Sequence, residues 1–62
     1  MKYKWLVKLK NKNFNTEFHS LETEVYDLEL VCEEAEKFYI GYFAYQIDLL
    51  NYKELNNELL QF

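Results

Sequence analysis

The chain has 62 residues, half of them hydrophobic and 19% aromatic, and its seven lysines against eleven acidic residues give a net charge of -4. So short a chain makes one compact domain, residues 1–62, near the lower size limit for folding unaided. Cys32 and His19 are the only cysteine and histidine, which excludes an internal disulfide and a Cys/His zinc site, so self-association or dense aromatic packing is the expected source of added stability.

Charge is unevenly distributed along the chain. Lys2, Lys4, Lys8, Lys10 and Lys12 precede the first acid, Glu17, and from there eleven acids face only Lys37 and Lys53. Arginine is absent, and with it the bidentate clamp for phosphate or carboxylate. The negative balance argues against nucleic acid as a direct partner. The longest apolar run, Phe38 to Tyr45, has eight residues, too few for a bilayer span, and the N-terminal lysines lead into no signal-peptide core. A lone thiol without an export signal points to the cytoplasm, with no membrane association.

In chain order, residues 2–10 alternate between lysines (Lys2, Lys4, Lys8, Lys10) and Tyr3, Trp5, Val7, Leu9, the pattern of a half-buried strand. A turn at Asn11-Lys12-Asn13 leads to a second alternating stretch, with Phe14, Thr16 and Phe18 on one side and Asn15, Glu17 and His19 on the other. A two-residue loop at Lys12-Asn13 would set Val7 opposite Phe18 and Lys8 opposite Glu17, matching core with core and charge with charge.

From Leu21 the period lengthens. Leu21, Val25, Leu28, Cys32, Ala35 and Tyr39 recur at steps of four and three, which predicts an amphipathic helix from an N-cap at Ser20 to about Phe38–Ile40, stopped by Gly41. A competing strand pattern, Tyr26, Leu28, Leu30 and Cys32, spans only seven residues. After Gly41, the alternation of Phe43, Tyr45, Ile47 and Leu49 with Ala44, Gln46 and Asp48 predicts a third strand. Asn51 with Glu54 three positions inside a helix, and Leu50 with Leu55 as a staple, predict a closing helix over 52–61. The expected fold is α+β, a small β-β-α-β-α domain in which an antiparallel hairpin and a third strand pack on one amphipathic helix.

Chemistry of an enzymatic kind finds little support. His19 is expected on the polar side of a strand and Cys32 in the apolar helix stripe, so no base and nucleophile meet. Glu29 and Glu33 lie one helical turn apart but face water, which leaves no desolvated acid. Glu33, Glu34 and Glu36 lack the loop that gathers oxygens around calcium, and one glycine cannot cradle a phosphate. No catalytic residue, metal site or cofactor is assigned. Single-strand nucleic-acid binders carry rings and cations on one surface, whereas Tyr3 and Trp5 have the opposite parity to the lysines.

Interaction is the better reading. With Leu28 at the centre of the buried helix face, Tyr26 and Leu30 project outward, ringed by Glu22, Asp27, Glu29, Glu33 and Glu34. An apolar pair within an acidic rim has the composition of a recognition patch for a partner with a basic surface, although such a pair can also serve only to support the helix. Seven acids between Glu22 and Glu36 also suit a mimic of DNA, with carboxylates standing for phosphates. If the third strand lies at the sheet edge, Tyr42 and Tyr45 at its rim suit a homodimer, and a purely structural homo-oligomer is a third alternative.

The size, the acidity, the lysine and asparagine bias of segments such as KNKNFN and the β-β-α-β order together resemble the small acidic proteins that phages and prophages encode to block host enzymes or defence systems. That resemblance implies a non-enzymatic inhibitor that works by occluding a host or anti-phage defence protein in the host cytoplasm. It carries no diagnostic motif and assigns no residue.

Overall fold

The structure is a computed structural model and describes residues 2–55. Three strands and a helix follow in the order β1 (Tyr3–Asn11), β2 (Thr16–Thr23), α1 (Leu28–Phe38) and β3 (Tyr42–Leu49), with a helical turn over residues 52–55. The α+β class and the β-β-α-β-α order are those the periodicities predict, although most of the closing helix expected over 52–61 lies outside the described residues.

The sheet order is β2-β1-β3, and β1 is antiparallel to both neighbours. β2 and β3 therefore run parallel, and α1 is the crossover that joins them, as parallel strands require. Trp5, Val7 and Leu9 of β1 are buried together with Val31 and Ala35 of α1. One side of the sheet carries the helix and the core; the side that holds Lys4, Leu6, Lys8 and Lys10 carries no helix. The buried Trp5 indole donates from Nε1 to Thr23 Oγ1 at 2.8 Å, and the Thr23 hydroxyl donates to the Val25 carbonyl at 2.7 Å, so the ring enters the core with its polar atom satisfied.

The hairpin register departs from expectation by one residue. Val7 faces His19 and Lys8 faces Phe18, instead of Val7 facing Phe18 and Lys8 facing Glu17. The loop holds three residues rather than two: Asn11 and Asn15 pair through the Asn11 amide (3.0 Å), the Phe14 amide returns to the Asn11 carbonyl, and Phe14 takes φ 64°. Such a loop is a turn followed by a left-handed residue. Asn11 Oδ1 holds it by accepting from the amides of Asn13 (2.9 Å) and Asn15 (3.0 Å). Because side chains alternate with period two, one extra loop residue turns the whole of β2 over. Phe18 is exposed, while His19, Leu21 and the buried Thr23 face the helix.

Helix α1 starts seven residues later than the Leu21 expected. Leu21 to Thr23 continue β2, and Asp27 rather than Ser20 is the N-cap, its Oδ1 accepting from Glu29 N (3.1 Å) and Leu30 N (3.2 Å). The buried stripe is centred on Val31 and Ala35; Leu28, expected at its centre, is half-exposed. The end is as predicted: Phe38 is the last helical residue, and Gly41 at φ 89° lets the chain reverse into β3. In β3 a bulge opposite Lys8/Leu9 reverses the alternation, so Ile47 and Leu49 pair with Val7 and Trp5, but Ala44 and Tyr42, not Tyr45 and Phe43, continue that face.

Asn51 holds the predicted cap position, its carbonyl accepting from Leu55 N at 3.1 Å, but its side chain works elsewhere. Its buried side chain accepts from Lys4 N (3.0 Å) and donates to the Lys2 carbonyl (2.8 Å), and beside it Leu50 N donates to the Lys4 carbonyl (2.7 Å). It thereby extends the β1–β3 ladder past the end of the strand. Of the two residues of the expected staple, Leu55 is buried and Leu50 exposed.

Candidate interaction site

Two surfaces stand out, one on each side of β2. The first is a groove of about 500 Å³ between β2 and α1. Its apolar lining is Leu21, Val25, Leu30 and Phe38, and its acids are Glu22, Glu24 and Glu34. The sequence of α1 builds one wall directly: Leu30, Glu34 and Phe38 are spaced four apart and so share a ridge beside the buried Val31 and Ala35. His19 stacks on the Phe38 ring (4.7 Å, 28°) and meets Tyr39 edge-on at 5.7 Å, which closes the groove at the helix C-terminus. Among the described residues β2 pairs only with β1, so no strand covers its other edge, although the Phe18 carbonyl there accepts from the Tyr39 hydroxyl at 3.4 Å.

The predicted acidic patch is regrouped around that groove. Leu30, Glu22 and Glu34 line it. Tyr26 precedes the helix and is not the i,i+4 partner of Leu30; its ring folds over the end of the core, 5.6 Å from Tyr3 and 5.3 Å from Trp5. Asp27 is spent on the N-cap. Glu29 and Glu33 are exposed, at helical positions opposite Val31. The patch fails as one surface because it depends on a helix that reaches back to Leu21, which β2 claims instead.

The self-association residues also separate. β3 is an edge strand, as expected. Tyr42, however, packs inward, edge-on to Tyr39 at 5.9 Å, while Tyr45 lies on the other side of the sheet with Lys10 Nζ 4.9 Å from its ring. Glu36 Oε2 accepts the Ala44 amide at 3.0 Å, so a helix carboxylate occupies a β3 backbone donor. Both edge strands are tied to the helix, β3 through the Ala44 amide and β2 through the Phe18 carbonyl; the groove lies beside β2.

Cys32 is partly buried, with Sγ 3.8 Å from Glu36 Oε2. Burial pushes its thiol pKa up, and the negative charges and hydrogen bond of Glu36, with Glu33 beyond, add to the rise. The thiol is held protonated, the opposite of what a nucleophile needs.

The second surface was not anticipated. Opposite the helix, Phe18 pairs with Lys8 and Phe43 with Lys10, and the rings of Phe14 (6.0 Å) and Tyr45 (4.9 Å) flank Lys10 Nζ. These four rings are 79%, 57%, 47% and 44% exposed for Phe14, Phe18, Phe43 and Tyr45. The parity argument that sends the rings to the core holds for Tyr3 and Trp5 in β1 and fails in both neighbours, where the loop and the bulge turn rings toward the lysines. One signal was available: continuing the β2 alternation to Thr23 puts Leu21 with His19, and Ser20 and Glu22 with Phe18.

No helix among the described residues is long and apolar enough to cross a membrane, and no group of three metal-ligating side chains is found among them. Comparison with protein-family models, curated proteins and solved structures finds no match to the chain.

Proposed function

We propose that the chain is a non-enzymatic protein-binding domain, an inhibitor of the phage type, that occludes a host or defence protein by receiving one of its extended, basic segments along β2. The observation that carries this reading is a β2 edge that no strand among the described residues pairs with, beside an apolar, acid-lined groove. A strand added there takes its affinity from backbone hydrogen bonds and its selectivity from alternate side chains. Apolar residues of the segment would rest on Leu30 and Phe38, and lysines or arginines between them would meet Glu24 and Glu34. The acids of the helix side steer such a partner in, and the desolvated apolar floor holds it. The homodimer reading is weaker, because Tyr42 and Tyr45 face opposite sides of the sheet.

The test uses an extended peptide of alternating lysine and valine, titrated into the isotope-labelled protein. The expected result is saturable amide shifts confined to β2 and to Leu30–Phe38 of α1, with affinity reduced at least about tenfold by Leu30→Asp combined with Phe38→Ala. Shifts that do not saturate, or an affinity that ignores those substitutions, would overturn the reading. A DNA mimic, by contrast, would lose its target as Glu29 and Glu33 are neutralised and would be steeply salt-dependent.

A further inference from the structure

We propose that the helix-free face of the sheet, at its hairpin end, binds single-stranded nucleic acid, with Phe14, Phe18, Phe43 and Tyr45 as stacking surfaces and Lys8 and Lys10 on the phosphates. Single strands are recognised by rings that stack on bases beside cations that follow the backbone. Here both kinds of group share one surface. Lys8 stands between Phe18 and Gln46 across the sheet, and Lys10 between Thr16 and Phe43, so each cation has a ring directly opposite it. Phe18 on β2 and Phe43 on β3 are two strand spacings and two residues apart, about 12 Å on the diagonal, with the lysines of β1 between them.

Charge selects the occupant. The chain is acidic as a whole, but its charges are sorted: among the described residues of this face, Glu22 lies at its other end, where Lys2 approaches it at 3.8 Å, and Asp48 stands mid-sheet opposite Leu6, accepting the Gln46 side-chain amide beside Lys8. The hairpin half carries Lys8 and Lys10, with Lys12 in the adjoining loop, and no carboxylate. A second copy packed face to face would set these lysines against themselves. A second copy docked through its acidic helix would satisfy the lysines, yet the solvent side of α1 offers Glu29 and Glu33 and no flat partner for four rings. A single strand satisfies both.

The hairpin loop supplies an independent observation. Phe14 is the most exposed of the four rings and sits at φ 64°, a conformation in which glycine or asparagine is the unstrained choice. Asparagine already occupies three of the neighbouring loop positions, Asn11, Asn13 and Asn15. A bulky ring held in a strained conformation and in water, 6.0 Å from a lysine amine, contributes nothing to the core and is explained by a ligand it touches.

The test is fluorescence anisotropy of the full chain with labelled oligothymidylate and oligouridylate of about twelve nucleotides, set against a duplex of equal length and inorganic polyphosphate. The expected result is binding of one or both single strands in preference to the duplex, with the DNA and RNA arms telling which sugar is preferred. Phe18→Ala with Tyr45→Ala should weaken binding at least about tenfold while polyphosphate binding hardly changes. Phe14→Asn should weaken it too, in a protein that melts higher than the parent, so loss of fold is not the cause. Lys8→Gln and Lys10→Gln should each reduce the slope of log affinity against log salt by about 0.7. Absence of single-strand binding, or binding that polyphosphate matches and the ring substitutions leave unchanged, would overturn the proposal. So would a dimer in light scattering that Phe18→Ala dissociates, since a second copy would then cover the face. None of these substitutions touches the groove, so the two surfaces stand or fall separately.

Discussion

The sheet has two faces made from the same strands, and they are built to opposite specifications. On the helix side Trp5, Val7 and Leu9 are buried against Val31 and Ala35, and even the indole nitrogen is satisfied. On the other side rings of similar size stand in water beside lysines. The hydrophobic effect accounts for the first arrangement. It opposes the second, and that opposition is the ground on which a ligand for this face is proposed. The lesson is that aromatic content has to be divided between faces before it is credited to a core.

The sharpest way to break that contrast is to truncate one ring on each face. Trp5→Ala removes a buried ring and its hydrogen bond to Thr23, a loss of about 3–5 kcal/mol, which is comparable to the whole stability of a domain this small. The variant should be unfolded by circular dichroism at room temperature. Phe18→Ala should change the unfolding free energy obtained from urea titration by no more than about 0.5 kcal/mol. If Phe18→Ala were as damaging as Trp5→Ala, the open face would be covered in the isolated protein and the contrast would vanish.

Next in size is the clamp that fastens the chain after β3 to the start of β1. Asn51→Ala leaves the Lys4 amide and the Lys2 carbonyl without their side-chain partner, at a cost of about 2 kcal/mol. Asn51→Ser sharpens the point. Serine caps helices as well as asparagine does but is too short to bridge two backbone groups, so it should be nearly as unstable as alanine. Full rescue by serine would mean that capping, and not the ladder, is what Asn51 provides.

How far the sequence could be read follows the same division. The alternation in β1 sufficed because its core residues, Trp5, Val7 and Leu9, all share one parity and no loop intervenes. The end of α1 was equally plain, since Gly41 is the one residue free to take φ 89°. The faces of β2 and β3 were misassigned for a different reason: each hangs on a single residue, Phe14 in a left-handed loop position and the bulge near Tyr45, and neither residue type signals that conformation. The start of α1 was misplaced because Leu21 and Val25 fit a helical stripe as well as they fit a strand and its exit. The acidic patch inherited that error, and the lysine and ring face was hidden by the β2 and β3 errors together.

Phe14 offers a smaller effect of opposite sign. Phe14→Asn should relieve about 1 kcal/mol of backbone strain, raising the melting temperature by roughly 8 °C. The substitution keeps the three-residue loop, so the register of Phe18 against Lys8 should persist in amide shifts along β2. A lower melting temperature would mean that the ring packs on Lys10 or Tyr45 strongly enough to outweigh the strain, and the open face would then be partly a core of its own.

The smallest expected effect lies at Cys32, at the junction of helix and β3, and its sign can be worked out. Burial first, and then Glu36 and Glu33, raise the thiol above its ordinary value of 9.0 in the folded chain. The unfolded chain therefore ionises this thiol first. Below that ordinary value the group has no effect on the pH dependence of stability; as pH rises through it toward the folded-state value, the unfolded state gains and stability falls. Tyrosines titrate in the same range, so the comparison must be between parent and Cys32→Ala: the stability difference in urea should be flat from neutral pH upward, then shift against the parent in alkali. Iodoacetamide gives a second readout, with alkylation slower than for a free thiol at the same pH. Glu36→Gln should speed it by removing the nearest negative charge, while also weakening the bond to the Ala44 amide. Equal alkylation rates for parent, Glu36→Gln and free thiol would place Cys32 in water, and with it the β3 side of α1 that holds this edge of the sheet closed.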